Sequence, residues 1–484
     1  MAGLTLCGLL LRLYRADSGL WIDEVTSVLD SFRLPLGELI STYSGDNRHP
    51  LYSVLAHMAM AVFGESAWTA RLPSILFGTA SIPALYLLGR EMGGSRMGLL
   101  AAALLTVSYH HVWFSQNARG YAMLAFFSIL ATYLLLRGLA TRKAGFFVGY
   151  ALAAGLGSYT HLTMVFLALG QAAVMLWLKL RRGAEDAPRW TDLATAFVGG
   201  AALTLLLYAP MLRAILRYFG EPTDMLDVST PSWAALEILR QMRVGFGTAF
   251  AGAAAGLFLA GGAWSLFRRA PVALSLFVAP LAVTLLGAAA ARGTMYPRFF
   301  FFASGFAVLF VVHGIEWIGG LVSAEPKRRA RATAVLFAAI AAASVVSLRW
   351  NYRYPKQDFG GAQAFVEEHI RDGETAMVVG VTVRPLQEYL GQPWPDVRSV
   401  EDLLSARRQG AVWLVYSFPR YVASSYPGVW SLIESDSTLE ARLPGTVGGG
   451  DVLVCRFSGL RSEEEPGVSG DGEAAGTGPA SDRR

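Results

Sequence analysis

Apolar segments of spanning length follow one another along the first 350 residues, separated by short polar intervals. They fall at 66–89, 97–115, 120–137, 144–160, 162–180, 193–212, 246–267, 271–291, 299–320 and 331–348. A helix needs about 20 apolar residues to cross a bilayer. With the first apolar run, Gly3 to Tyr14, the spacing predicts about eleven transmembrane helices. That first run is short for a span, so either it continues into Arg15–Leu20 or the reading frame begins late. Leu51–Gly64 is apolar over only about one-half to two-thirds of a span and reads as interfacial or re-entrant.

The pattern changes after Arg349. Gly361–Arg371 reads as a helix, and Thr375–Val381, Ala411–Tyr416 and Asp451–Phe457 read as strands. The tail from Gly459 is rich in Gly, Ser, Glu and Asp with almost no large apolar residue, a composition that predicts disorder. The expected organisation is a transmembrane domain at 1–350 with a first outer loop at 15–65, an α/β domain at 351–458 outside the membrane, and a disordered tail at 459–484.

Composition supports the membrane reading. The chain is 54% hydrophobic and 16% charged, where a soluble domain carries about 25% charged residues. Mean hydropathy is +0.41. The net charge of +5 does not point to nucleic acid, because the basic residues lie between apolar segments. Arg90/Arg96, Arg137/Arg142/Lys143, Lys179/Arg181/Arg182, Arg268/Arg269 and Lys327/Arg328/Arg329/Arg331 share one side if Leu51–Gly64 does not cross. Basic loops mark the cytoplasmic side. The expected location is the plasma (inner) membrane, with the α/β domain on its outer face. The two cysteines, Cys7 and Cys455, lie in different parts of the chain and are not expected to pair. No cleavable signal peptide is evident.

Five polar clusters fall on the predicted outer face. Asp23 and Glu24 follow the first apolar run, as a candidate base and a metal or substrate ligand, or as an ordinary acidic pair at a helix start. Asn47–Tyr52 holds Arg48 and His49, candidates for a phosphate or a metal, before Pro50 opens a helix. Glu65 and Arg71 sit at the membrane boundary, where ionisable groups are costly unless they face a cavity or each other. Ser108–Tyr121 carries His110, His111, Gln116, Asn117, Arg119 and Tyr121, denser in polar groups than a short hairpin requires. Arg298 is a candidate clamp for a lipid phosphate, or a snorkelling residue at headgroup level. The loop 213–245 is a candidate lid, and His161 reads as structural. Acids, His and Arg gathered at one membrane boundary suit an amphiphilic, phosphate-bearing substrate.

In order, Asp23-Glu24, His49-Pro50-Leu51-Tyr52, Phe63-Gly64-Glu65, Arg71-Leu72-Pro73-Ser74 and Ser115-Gln116-Asn117-Ala118-Arg119-Gly120-Tyr121 resemble the GT-C type membrane glycosyltransferases. The branch is that of the bacterial relatives of the dolichyl-phosphate-mannose protein mannosyltransferases (glycosyltransferase family 39), which includes aminoarabinose transferases. The resemblance is dense from about residue 12 to 140 and looser to 350, where hydropathy and Pro297-Arg298 carry it. It implies transfer of a sugar from a polyprenyl-phosphate donor to an acceptor hydroxyl on a protein, glycolipid or polysaccharide, outside the cytoplasm and with inversion. It implies Asp23 as the base, with Glu24 beside it as a second catalytic candidate. Arg71, Gln116, Arg119, Tyr121 and Arg298 become candidate substrate and phosphate ligands. His49, Glu65 and His111 become candidate ligands of a divalent ion, with no organic cofactor. Asn117 stands where the family has a carboxylate. A transporter or flippase of lipid-linked saccharides, or a non-catalytic scaffold, are the competing classes.

Overall fold

The computed structural model describes residues 1–43, 45, 47–181, 188–220, 236–237, 239–240, 248–290, 296–446 and 449–460. Most of the candidate lid at 213–245 and nearly all of the tail at 459–484 lie outside the described residues.

The chain is mostly helical, with one small sheet near its C-terminal end. Helix α1 (Ala2–Leu13) and the short α2 (Ile22–Ser27) precede α3 (Pro50–Phe63), which Pro50 opens at its first position. The long α4 (Ala67–Val107) contains two of the expected spans. It breaks at Gly93 and Gly94, where Gly94 takes φ +80, a conformation that glycine adopts without strain. The two halves then fold back on each other. A Cβ at Gly98 would lie 2.5 Å from the Tyr86 carbonyl oxygen, and one at Gly89 would lie 3.0 Å from the Gly98 Cα. Glycine is therefore what lets the backbones touch. The short α5 (Tyr109–Ser115) leads into α6 (Tyr121–Thr141), α7 (Ala144–Thr160) and α8 (Thr163–Arg181). After them come α9 (Trp190–Tyr218), α10 (Ala249–Arg269), α11 (Pro271–Ala290), α12 (Pro297–Val322) and α13 (Pro326–Arg353).

Among the described residues, six helices are long and apolar enough to cross a membrane: α4, α6, α8, α9, α12 and α13. Helices α1 and α3 are apolar but shorter. The helices pack around a continuous buried cluster that includes Leu85, Leu105, Leu124, Phe277 and Phe306.

The outer layer is a mixed four-stranded sheet ordered β1-β2-β4-β3, from β1 (Thr375–Val378), β2 (Val412–Ser417), β3 (Ser437–Leu443) and β4 (Val452–Phe457). β1 runs parallel to β2, and β4 antiparallel to both β2 and β3. Every residue of β2 is buried, as expected for a strand covered on both faces. Its alternate side chains divide accordingly: Val412, Leu414 and Tyr416 join one apolar cluster, and Trp413 and Val415 the other.

Candidate functional site

The polar clusters of the sequence meet at one end of the helical bundle, under the sheet layer. Their roles there differ sharply. Helix α2 starts at Trp21, whose backbone N–H donates to the Glu24 carboxylate at 2.8 Å, so adjacent acids are turned in different directions.

Glu24 is fully buried and saturated. Its carboxylate accepts from Arg71 Nε and Nη2, each at 2.8 Å, and from the backbone N–H of Ala118 at 2.6 Å. The Arg71 guanidinium is equally occupied. Its Nη1 donates to the Ala16 and Ser18 carbonyls at 2.8 and 2.7 Å, and its Nη2 to the Gly19 carbonyl at 3.0 Å. This bidentate pair ties the loop 16–24 to the first turn of α4 and to the turn before α6.

Asp23 is different. It is half-buried and faces a cavity of about 470 Å³. Arg119 and Arg298 both donate through Nη1 to its Oδ2, Arg298 at 3.0 Å. Burial by itself would raise the Asp23 pKa, but the charges of Arg119 and Arg298 outweigh it and hold the carboxyl below its ordinary value. Arg119 lies over the Tyr121 ring, 5.1 Å from its centroid, and Arg298 over Tyr296 at 4.3 Å. Asn117 also lines the cavity, and its buried Oδ1 finds no hydrogen-bond partner among the described residues. Away from this mouth the walls are apolar, with Leu104, Leu259, Phe301, Val308 and Val311 running along the helices.

Gln116 is spent on structure. It donates to the Arg12 and Tyr14 carbonyls at 3.0 and 2.7 Å and accepts from Asn351 at 2.7 Å. The three candidate metal ligands do not come together. Glu65 forms an exposed pair with Arg33 at 2.7 Å. His111 faces the buried Arg12 at 2.9 Å. His49 packs on Tyr121 and on His161, with ring centroids 5.2 and 4.9 Å apart. Among the described residues no three His, Cys, Asp or Glu side chains are grouped to hold an ion. His161, which reads from the sequence as structural, is the partner of His49 in this packing. Thr163 N–H donates to its Nδ1 at 3.2 Å, which leaves the ring proton on Nε2. Burial, and after it the charges of Arg119 and Arg298, lower its pKa to about 3, so the ring is neutral. A Cβ at Gly120 would meet His49 Nδ1 at 3.1 Å and Thr160 at 2.9 Å, so only glycine lets this turn pass between the imidazole and α7.

The arrangement can accept a proton at Asp23, hold an anion between two guanidinium groups, and shelter a long apolar chain beside them. Comparison with known proteins shows what the chain and its fold are similar to. Residues 47–213 match the family model for dolichyl-phosphate-mannose-protein mannosyltransferase. The fold is similar to that of ArnT from Cupriavidus metallidurans in the apo state, with a TM-score of 0.53, 14% identity, and 94% of this chain and 96% of that one covered. It is similar to the archaeal oligosaccharyltransferase AglB from Archaeoglobus fulgidus in complex with an inhibitory peptide and a dolichol-phosphate (TM-score 0.53, 13% identity, 95% and 74% covered). The Archaeoglobus fulgidus oligosaccharyltransferase complex with Zn and sulfate is similar at TM-score 0.51, 11% identity, 90% and 71% covered. No curated protein matches the chain.

Proposed function

We propose that this chain, a multi-pass membrane protein with the GT-C glycosyltransferase fold, moves a sugar from a polyprenyl phosphate to an acceptor hydroxyl. The supporting observation is a cavity with the Asp23 carboxylate and two guanidinium groups together at its mouth and a largely apolar wall along its length. A polyprenyl phosphate has that same division between charged head and apolar tail.

The chemistry follows from the residues. The acceptor hydroxyl gives its proton to Asp23 as its oxygen bonds to the anomeric carbon. The bond from that carbon to the phosphate oxygen breaks, and its electron pair leaves with the carrier. The leaving phosphate gains one negative charge, which Arg119 and Arg298 stabilise. Attack opposite the leaving group inverts the anomeric centre. The acceptor class is a hydroxyl of a protein, glycolipid or polysaccharide.

One structure of similar fold holds zinc, which makes a divalent ion plausible for the fold. This chain's residues do not fit one at Asp23. Two cations already share its Oδ2, Glu24, Glu65 and His111 are held by Arg71, Arg33 and Arg12, and His49, whose ring nitrogens meet no hydrogen-bond partner among the described residues, packs on Tyr121 and His161.

Orientation supports transfer outside the cytoplasm. Helices α6, α8, α10 and α12 leave the Asp23 end and run to or close to basic clusters at 137–143, 179–182, 268–269 and 327–331. Under the rule for basic loops, Asp23 and the sheet then face outward.

The test is sugar transfer in membranes holding the protein, with labelled polyprenyl-phosphate sugars, against Asp23→Asn. Label should reach the acceptor with the wild type alone. Equal transfer by the variant would remove Asp23 as the base, and no transfer by folded wild type across a donor panel would sink the reading.

A further inference from the structure

The residue pair that opens the outer layer reaches back under the loop that carries Asp23. Gln357 is fully buried. Its Oε1 accepts from the backbone N–H of Ile22 at 2.7 Å, and its Nε2 donates to Ser417 Oγ at 3.2 Å. Ser417, the last residue of β2, donates in turn to the Asp451 carbonyl at 2.8 Å. Ile22 N–H belongs to the first turn of α2, where a helix leaves its donors without intrahelical partners. Glu24 satisfies the neighbouring Trp21 N–H, and Gln357 satisfies Ile22.

Other contacts press the same point. The Ile22 side chain packs into an apolar cluster of the sheet, with Phe359 and Val415. Trp21 sits edge-on between Phe418 of the sheet layer and Trp113 of α5, at 5.7 and 6.3 Å. Lys356 is buried, with Nζ 2.9 Å from the Trp113 carbonyl and 3.6 Å from that residue's ring centroid. Trp113 Nε1 donates to Thr446 Oγ1 at 2.9 Å. A Cβ at Gly19 would lie 2.7 Å from the Gln357 carbonyl oxygen, so the loop is held at backbone contact.

We infer that Gln357 is a positioning residue for the catalytic carboxylate: through the Ile22 N–H it sets the first turn of α2, and hence Asp23, against the cavity. This rests on the proposed role of Asp23. The outer sheet is then the rear wall of the active site, and a displacement of about 1 Å there is enough to cost on the order of 100-fold in rate.

The test compares wild type with Gln357→Leu, which removes the amide, and Gln357→Glu, which keeps an acceptor oxygen for Ile22. Two readouts are taken on purified full-length protein: transfer kinetics, and hydrogen–deuterium exchange of the peptide containing Ile22. Gln357→Leu should lower kcat about 10- to 100-fold, leave the donor KM within about two-fold, and speed exchange at Ile22 only. Gln357→Glu should restore most of both. Ser417→Ala, a smaller change at the far end of the amide, should give a partial loss of kcat even if the Leu variant does not fold. Unchanged exchange in folded Gln357→Leu would overturn the inference. So would faster exchange with wild-type kcat, a folded Glu variant as slow as Leu, or wild-type kcat in Ser417→Ala. A wild type that transfers no sugar sinks the transferase reading and the inference with it. A transferring wild type matched by its variants sinks the inference alone.

Discussion

Arg298 reaches Asp23 across 275 residues of sequence and donates to Oδ2, the oxygen that Arg119 also holds. The carboxylate therefore presents both cations on one side and keeps Oδ1 clear of them. Arg298→Ala should leave the fold intact and lower kcat/KM by on the order of 100-fold or more, the scale for losing one preorganised donor to a developing anion. Initial rates over a range of donor concentrations check this. A change confined to KM would mean that Arg298 only binds the ground state.

The same variant has a pH signature. Asp23 works as a base only when ionised, so activity falls as pH drops through its pKa. The guanidinium groups hold that pKa below the ordinary carboxylate range. Removing Arg298 withdraws a charge that favours the ionised form, so the Asp23 pKa rises. The acid limb of kcat/KM should move to higher pH in Arg298→Ala. A limb that stays fixed, or moves down, would mean that another group titrates there.

Arg71 should behave as a structural residue, although the motif that carries it resembles a substrate-binding one. Arg71→Ala leaves the Glu24 carboxylate buried without its countercharge, which costs roughly 3–5 kcal/mol. Thermal unfolding in detergent should show a large loss of stability, whereas Arg119→Ala should unfold near the wild-type temperature and fail in transfer. Equal stability of the two variants would refute this division of labour.

Chelation should not affect the rate, since Asp23 is held by two cations and the candidate metal ligands are dispersed. Transfer measured before and after dialysis against EDTA checks this. Glu65→Gln should also transfer normally, because it breaks only an exposed pair with Arg33 worth about 0–1 kcal/mol. Loss of activity restored by one divalent ion would reverse the conclusion.

The sequence revealed what is local. Hydropathy found the helical character of the chain, Pro50 opened one helix where its ring fits, and short apolar runs found the three buried strands, while the mostly exposed Ser437–Leu443 was missed. The motifs that meet beside the cavity were legible because they are short runs such as Asp23-Glu24 and Gln116 to Tyr121. What stayed hidden is which polar residue faces which partner. Glu24 and Asp23 are neighbours with opposite fates, decided by one backbone hydrogen bond at Trp21 and by an arginine 47 residues away. Gln116 and Asn351 meet across 235 residues, and no periodicity encodes such a pairing. His161 reads from the sequence only as structural for a similar reason: nothing local encodes its packing against His49.

The glycine contact in α4 reaches further than packing. One half of that helix carries Arg71, the anchor of Glu24, near its start, and the other leads through α5 and the turn after it to Arg119. The two halves make a caliper whose jaws are these arginines and whose rivet is the touch of Gly98 on Tyr86 and Gly89. Eighteen residues of helix separate Arg71 from Gly89, against which Gly98 lies, roughly 27 Å of rise. A single methyl group at position 98 would press on a backbone oxygen 2.5 Å away and spread the jaws. Gly98→Ala should therefore slow sugar transfer from the far end of the helices, making remote glycines the place to look for silent-seeming losses of activity.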